Sequence, residues 1–165
     1  MIHAIDSIDV AEILESYHQL ESNMSWTDYG TKGRQAGLQY RDIEDPWNSA
    51  VGKSRGEELA YTNLNPFFAD TVFERLINQY QLKRTRLMWL NPMSCYSMHR
   101  DSTPRIHIPL ITNTECYFVF KSGVIQHMPA GSVYRVDTTR YHSFMNCSEH
   151  TRLHMVGVIS EDQHD

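Results

Sequence analysis

Two hydrophobic periods divide the chain. Val10, Ile13, Leu14, Tyr17 and Leu20 recur at the three-to-four spacing of an amphipathic helix, and Asp9 with Glu12 reads as a capping box, so a helix is predicted over Val10 to Glu21. Asn65-Pro66 marks a second start with proline in the first turn, and Phe68, Val72, Phe73, Leu76, Ile77 and Tyr80 give that helix an apolar face suited to backing a sheet. Between them the text is punctuated by Gly30, Gly33 and Gly37 among Trp26, Tyr29 and Tyr40, which predicts loops and short strands. The polar stretch 41–58, with Pro46, Gly52 and Gly56, is predicted to be a long loop within one domain.

From Thr85 the period shortens to two. Strands are predicted at Thr85 to Leu90, Cys95 to His99, Arg105 to Thr112, Cys116 to Lys121, Val124 to Met128, Ser132 to Val136, His142 to Asn146 and Arg152 to Ser160. Asn-Pro, Thr-Pro, Thr-Asn, Ser-Gly and Pro-Ala-Gly turns separate them. Eight short strands of this kind describe a double-sheet jelly roll, the cupin-like double-stranded β-helix. The expected fold class is mainly β with N-terminal helices: one domain over 1–165, with 1–83 as helices and loops covering a barrel formed by 84–160. A chain of 165 residues can bury such a core without disulfide or metal staples.

Composition narrows the function classes. A formal net charge of −5 offers no basic field for phosphate attraction, so no nucleic-acid partner is expected. Cys95, Cys116 and Cys147 are odd in number and lack CxxC spacing, which reads as small buried thiols in a reduced, cytoplasmic protein. The N-terminus lacks a basic segment followed by an apolar run, and no membrane span is expected. Trp26 and Trp47 read as packing aromatics, with substrate contact as the alternative.

Candidate chemistry centres on His99-Arg100-Asp101. Two residues apart on an extended segment, His99 and Asp101 point to one side and can share an ion. Alone, an HxD pair is a weak signal. With His142 from a later strand it becomes a two-His-one-carboxylate triad, which leaves three adjacent positions open and suits non-haem Fe(II), although Mn, Co, Ni or Zn could occupy it in vitro.

Gly131, Asp137, His142, Asn146, Ser148 and Arg152, preceded by Arg105-Ile106-His107, carry a resemblance to the aspartyl/asparaginyl β-hydroxylase-like family of Fe(II)- and 2-oxoglutarate-dependent dioxygenases. It covers roughly Arg84 to Ser160. Some animal members lack the triad's carboxylate; Asp101 supplies it here. The resemblance implies Fe(II) held by His99, Asp101 and His142, with 2-oxoglutarate and O2 as cosubstrates and succinate as a product. It also implies that Arg152, ten residues after His142, pairs with the far carboxylate of 2-oxoglutarate, a task that suits a planar, permanently charged guanidinium. By the same resemblance Arg105 grips a substrate carboxylate and His107 lies against the near carboxylate of 2-oxoglutarate. The expected substrate is a small polar molecule or peptide, such as a free amino acid or an Asp/Asn-type side chain.

The remaining histidines carry no such signal. His3, His18, His150 and His164 read as surface or terminal residues, and His127 and His154 as strand residues without a ligand partner. Met88, Met93, Met98, Met128, Met145 and Met155 read as fillers of irregular barrel gaps, and Asp137 as the residue orienting a turn or a contact behind the metal. One alternative is a non-catalytic metal- or ligand-binding cupin-like module, which has no need of Arg152 at its spacing. Another is nucleic-acid demethylation. Enzymes of that type resemble one another in a second arginine six residues further on, where this chain has Val158.

Overall fold

Asp9 sets the first element. Its Oδ1 accepts from the backbone N–H of Ala11 at 3.0 Å and of Glu12 at 3.3 Å, starting helix α1 (Val10–Leu20). The reciprocal half of the expected capping box does not form, because Glu12 instead accepts from Arg75 at 2.6 Å. Ile13 and Tyr17 form the buried stripe of α1. This computed structural model describes residues 1–42, 45–53 and 56–160. Positions 43, 44, 54 and 55 of the expected loop lie outside the described residues, as does His164.

The single helix expected from Asn65 to Tyr80 is split. Asn65 Oδ1 caps a short 3-10 turn at Pro66–Phe68, the chain passes through a left-handed Asp70 (φ 60°), and α2 then runs over Val72–Gln79. An apolar face reads the same across such a break, since both pieces press on one surface. Before α2 lie β1 (Ile2–Ser7), which the sequence reading missed, then β2 (Thr27–Tyr29), β3 (Gly33–Gly37), β4 (Gln39–Tyr40) and β5 (Asn63–Leu64).

The alternating half then delivers β6 (Lys83–Leu90), β7 (Ser94–Cys95), β8 (Arg105–Ile111), β9 (Cys116–Phe120), β10 (Ile125–Gln126), β11 (Ser132–Val136), β12 (His142–Asn146) and β13 (Arg152–Val158). Four of these pair in a sheet ordered β10-β9-β12-β7, and the other four occupy a sheet ordered β1-β11-β8-β13-β6-β3-β2. Two four-stranded layers give the jelly roll, and β1, β2 and β3 widen the larger sheet at its edges. β7 is shorter than expected; beyond it the segment stays tied to β12 through Tyr96 N–H, which donates to the Phe144 carbonyl at 3.1 Å, and through a bridge between His99 and His142.

Side chains alternate across the larger sheet. Leu153 and Met155 face α1 and α2 in a core with Tyr17, Phe68, Phe73, Leu87 and Ile106, whereas Val156 faces the smaller sheet with Phe118, Phe120, Phe144 and Tyr134. Trp47 packs its ring 5.0 Å from Phe67, and Trp26 lies 6.3 Å from Trp89. Of the methionines read as gap fillers, Met88, Met128 and Met155 are buried; Met93 and Met98 are exposed on the turn and strand end around β7, where there is no interior to fill. Of the three thiols only Cys116 is buried, because Cys95 and Cys147 lie at exposed positions on and beside strand ends. Among the described residues no helix is long and apolar enough to cross a membrane.

Candidate active site

The two histidines of HxD…H are brought together by backbone. His99 N–H donates to the carbonyl of His142 at 2.9 Å and His142 N–H donates back at 2.7 Å, which sets their rings 4.4 Å apart. Each ring is then aimed by its own turn: Nδ1 of His99 lies 2.7 Å from the Ser97 carbonyl and Nδ1 of His142 lies 2.9 Å from the Arg140 carbonyl. A carbonyl can only accept, so Nδ1 carries the proton and Nε2 keeps its lone pair for a metal. Phe118 stacks on the His142 ring at 5.0 Å and 14°. Burial lowers the His142 pKa, which favours the neutral imidazole a metal requires.

Asp101 completes the group. Its N–H donates to the Thr138 carbonyl at 2.9 Å, and its Oδ2 stands 3.9 Å from His142 Nε2. One ligand atom from each of His99, Asp101 and His142 lies within 4.8 Å of the others, so these side chains can converge on one ion. Asp137 orients the turn before His142, accepting from Thr139 Oγ1 at 2.6 Å and from Arg140 Nε at 2.9 Å.

Arg105 is placed differently from the expectation. Rather than presenting a free fork to a substrate, it donates through Nη2 to Glu58 at 2.7 Å and through Nε to Asp101 at 3.1 Å. Two carboxylates of the protein therefore engage the guanidinium. Glu58, from the loop covering the barrel, also accepts from Arg84 at 2.5 Å, Thr103 at 2.7 Å and Ser102 at 2.8 Å. Burial alone would raise the Glu58 carboxyl, but Arg105 and these hydrogen bonds hold it down at about 2.

His107 lies on the same strand as Arg105, fully desolvated, its pKa pushed well below the usual range by burial and by nearby Arg152. Its Nδ1 has no hydrogen-bond partner. Arg152 starts β13 in the interior, with its guanidinium 5.1 Å from the Phe144 ring and Nη2 2.8 Å from Nδ1 of His154. His154, read from sequence as partnerless, is thus the residue that steadies Arg152. Asn146 anchors the turn leading there through bonds to the carbonyls of Leu90, Asn91 and His150 and from Ser148. Among the described residues no carboxylate lies within ion-pair distance of Arg152.

His99, Asp101, His142, Arg105, His107 and Glu58 border a cavity of about 460 Å³, a size usual for small-ligand sites, which Tyr29, Tyr96, Gly52 and Lys53 also line; Arg152 lies outside that lining. Arg84 and Arg86 on β6 line it and escaped the sequence reading; their signal was the alternation in Lys83-Arg84-Thr85-Arg86, cationic where an interior strand should be apolar. A bulge between β6 and β13, with Arg84 at φ 49°, turns Arg84 toward Glu58. Glu58 had no periodic signal, since it opens a single 3-10 turn, Glu58–Ala60, that is too short to show one.

A family model described as aspartyl/asparaginyl beta-hydroxylase matches residues 9–160. No curated protein matches the chain. Among solved structures, a 2OG-Fe(II) oxygenase family oxidoreductase from Burkholderia pseudomallei is similar with a TM-score of 0.58 and 14% identity, over 93% of this chain and 78% of that one. HygX from Streptomyces hygroscopicus, solved with nickel and 2-oxoglutarate bound, gives 0.54 and 12% identity over 94% of this chain and 81% of its own. The DMSP lyase DddQ from Ruegeria pomeroyi gives 0.55 and 10% over 97% and 69%. One barrel thus carries oxygenases and a lyase alike, and at such identities the likeness speaks for the fold alone.

Proposed function

The chain belongs to the aspartyl/asparaginyl β-hydroxylase family of 2-oxoglutarate-dependent oxygenases, and on that premise we propose that it hydroxylates a small polar substrate, a free amino acid or an Asp/Asn-type side chain of a peptide. The supporting observation is the constellation of His99, Asp101 and His142, with both Nδ1 atoms committed to carbonyls and both Nε2 atoms free to ligate. This two-nitrogen, one-oxygen set suits Fe(II). When bound, Fe(II) and 2-oxoglutarate would supply, with O2, an oxidant able to take hydrogen from an unactivated carbon, one O2 oxygen going to the substrate and the other to 2-oxoglutarate, which would leave as succinate and CO2.

The chain's own residues do the placing. Arg105 restrains Asp101 through Oδ2, the oxygen that stands 3.9 Å from His142 Nε2. Arg152, steadied by His154 and bearing no carboxylate of its own, is assigned to the far carboxylate of 2-oxoglutarate, and the unpartnered Nδ1 of His107 to its near carboxylate. Phe118, Phe144 and Val156 keep water from that side of the site. The test is succinate release from 2-oxoglutarate with Fe(II), screened against free amino acids and short Asp- or Asn-containing peptides. Substrate-stimulated release is the expected result. A protein that binds metal yet shows neither release nor an Fe(II)–2-oxoglutarate absorption band would be a cupin-like binding module instead.

A further inference from the structure

The cavity is cationic in an acidic protein. Among the described residues lining it, Lys32, Lys53, Arg84, Arg86, Arg100 and Arg105 face only two carboxylates, Glu58 and Asp101, while the whole chain carries a formal charge of −5. Both carboxylates are already engaged, Glu58 by Arg84 and Arg105 and Asp101 by Arg105. Arg86 is left over. It is 6% exposed, its Nε has no hydrogen-bond partner, and its one side-chain bond is Nη1 to the neutral Gln35 Oε1 at 3.3 Å.

A desolvated guanidinium without a counter-charge is costly, and proteins keep such groups where a ligand supplies the missing charge. Burial and the neighbouring Arg84 and Arg105 press its pKa down to about 9, so at neutral pH it remains a cation. Its position separates it from Arg152. In the ladder Arg86 pairs with Val156, beside His107, whereas Arg152 pairs with Leu90, four residues further along β6 and outside the cavity lining. Gln35 Oε1, which Arg86 touches, also accepts from Gly52 N at 3.4 Å, so Arg86 sits where the covering loop meets the barrel.

We infer that Arg86 anchors a carboxylate of the prime substrate, and that the substrate is therefore an anion. This deepens the hydroxylase reading and rests on it only for the word substrate; the site itself is a carboxylate site with or without metal. Arg152 and Arg86 then form two separate anionic subsites, one for each organic ligand.

The experiment is titration calorimetry without O2, on metal-free protein and on protein loaded with Mn(II) and 2-oxoglutarate. The probes are L-aspartate, L-glutamate and N-acetyl-L-aspartyl amide, each compared with its carboxamide counterpart. The expected result is at least tenfold preference for a carboxylate over its amide in the wild type, lost in Arg86→Gln and partly kept in Arg86→Lys. The Kd for 2-oxoglutarate should move less than threefold in either variant. The free amino acids and the blocked amide distinguish a small-molecule from a peptide-like substrate. Equal binding of carboxylates and amides by the wild type overturns the proposal, as does a preference that survives Arg86→Gln. So does a tenfold loss of 2-oxoglutarate affinity in that variant, which would make Arg86 the cosubstrate anchor. If the wild type takes up no 2-oxoglutarate with metal, the hydroxylase reading falls, and the metal-free titrations still decide on Arg86.

Discussion

Arg84 and Arg105 differ from Arg86 and Arg152 in one respect. All four are buried cations, but the first pair closes on Glu58, while neither of the second has a carboxylate at ion-pair distance among the described residues. The paired guanidiniums behave as structure: they fasten Glu58 to β6 and β8, and Arg105 also bonds Asp101 in the segment before β8. The unpaired ones behave as receptors, because the charge that would neutralise them has to come from a ligand. Burial and residue type, the quantities a sequence hints at, are the same in both pairs; only the three-dimensional position of Glu58 divides them.

The largest expected effect comes from removing that divider. Glu58→Gln strands the buried Arg84 guanidinium and leaves Arg105 with Asp101 alone, and should cost about 3–5 kcal/mol of stability, read as a lowered urea midpoint. A loss under about 1 kcal/mol would mean that the Arg84–Glu58–Arg105 group contributes no more than a surface pair.

On the receptor side, with Arg152 holding 2-oxoglutarate as proposed, Arg152→Met would delete a charge-assisted bidentate pair worth on the order of 2–5 kcal/mol. KM for 2-oxoglutarate should rise roughly thirtyfold or more, with little change in Fe(II) affinity. Equal changes in both would make Arg152 a structural residue like Arg84.

Acid should reveal the same division in two steps. His107 and His154 have folded pKa values well below 6.5, so the unfolded chain binds protons first and stability falls as pH drops through about 6.5. The Glu58 pKa is depressed from 4.5 to about 2, so its contribution is whole above 4.5 and is lost as pH falls toward 2. The second step should shrink in Glu58→Gln while the first remains. A pH-stability curve for the two proteins checks this, and a second step unchanged by the substitution would assign the acid loss elsewhere.

Smallest of all is the effect of Arg86→Leu on the fold. Removing a cation without a counter-charge should leave stability unchanged or raise it by up to about 2 kcal/mol, the usual signature of a group kept for function. Destabilisation would place Arg86 with the paired residues.

The strands from Lys83 onward were legible as short runs bounded by turn residues, and the larger sheet's four barrel strands were located within about two residues at each end, although β8 and β13 are buried on both faces. β1 was not, since Ile2 is its only buried residue and an edge strand needs no repeating apolar side. Asp70 broke an apparently continuous helix without disturbing its apolar spacing. In the site, His99, Asp101 and His142 were readable from spacing and residue type. The ion pair of Arg105 was not readable because its partner, Glu58, lies 47 residues earlier in a stretch with no periodicity to locate it. His154 looked idle for a similar reason: its value lies in what its ring does for Arg152 across one turn of alternation, not in a ligand pattern of its own.

The reciprocal backbone bonds between His99 and His142 have a practical consequence. Where a metal site is assembled only by the ion, chelation unfolds the domain, and affinity and folding are one quantity. Here peptide groups hold the two imidazoles side by side, and the Thr138 carbonyl holds the Asp101 main chain, before any ion arrives. Stripping and reloading should accordingly be reversible at room temperature, so that one preparation can be exchanged through a series of divalent ions and compared ion against ion on an unchanged scaffold.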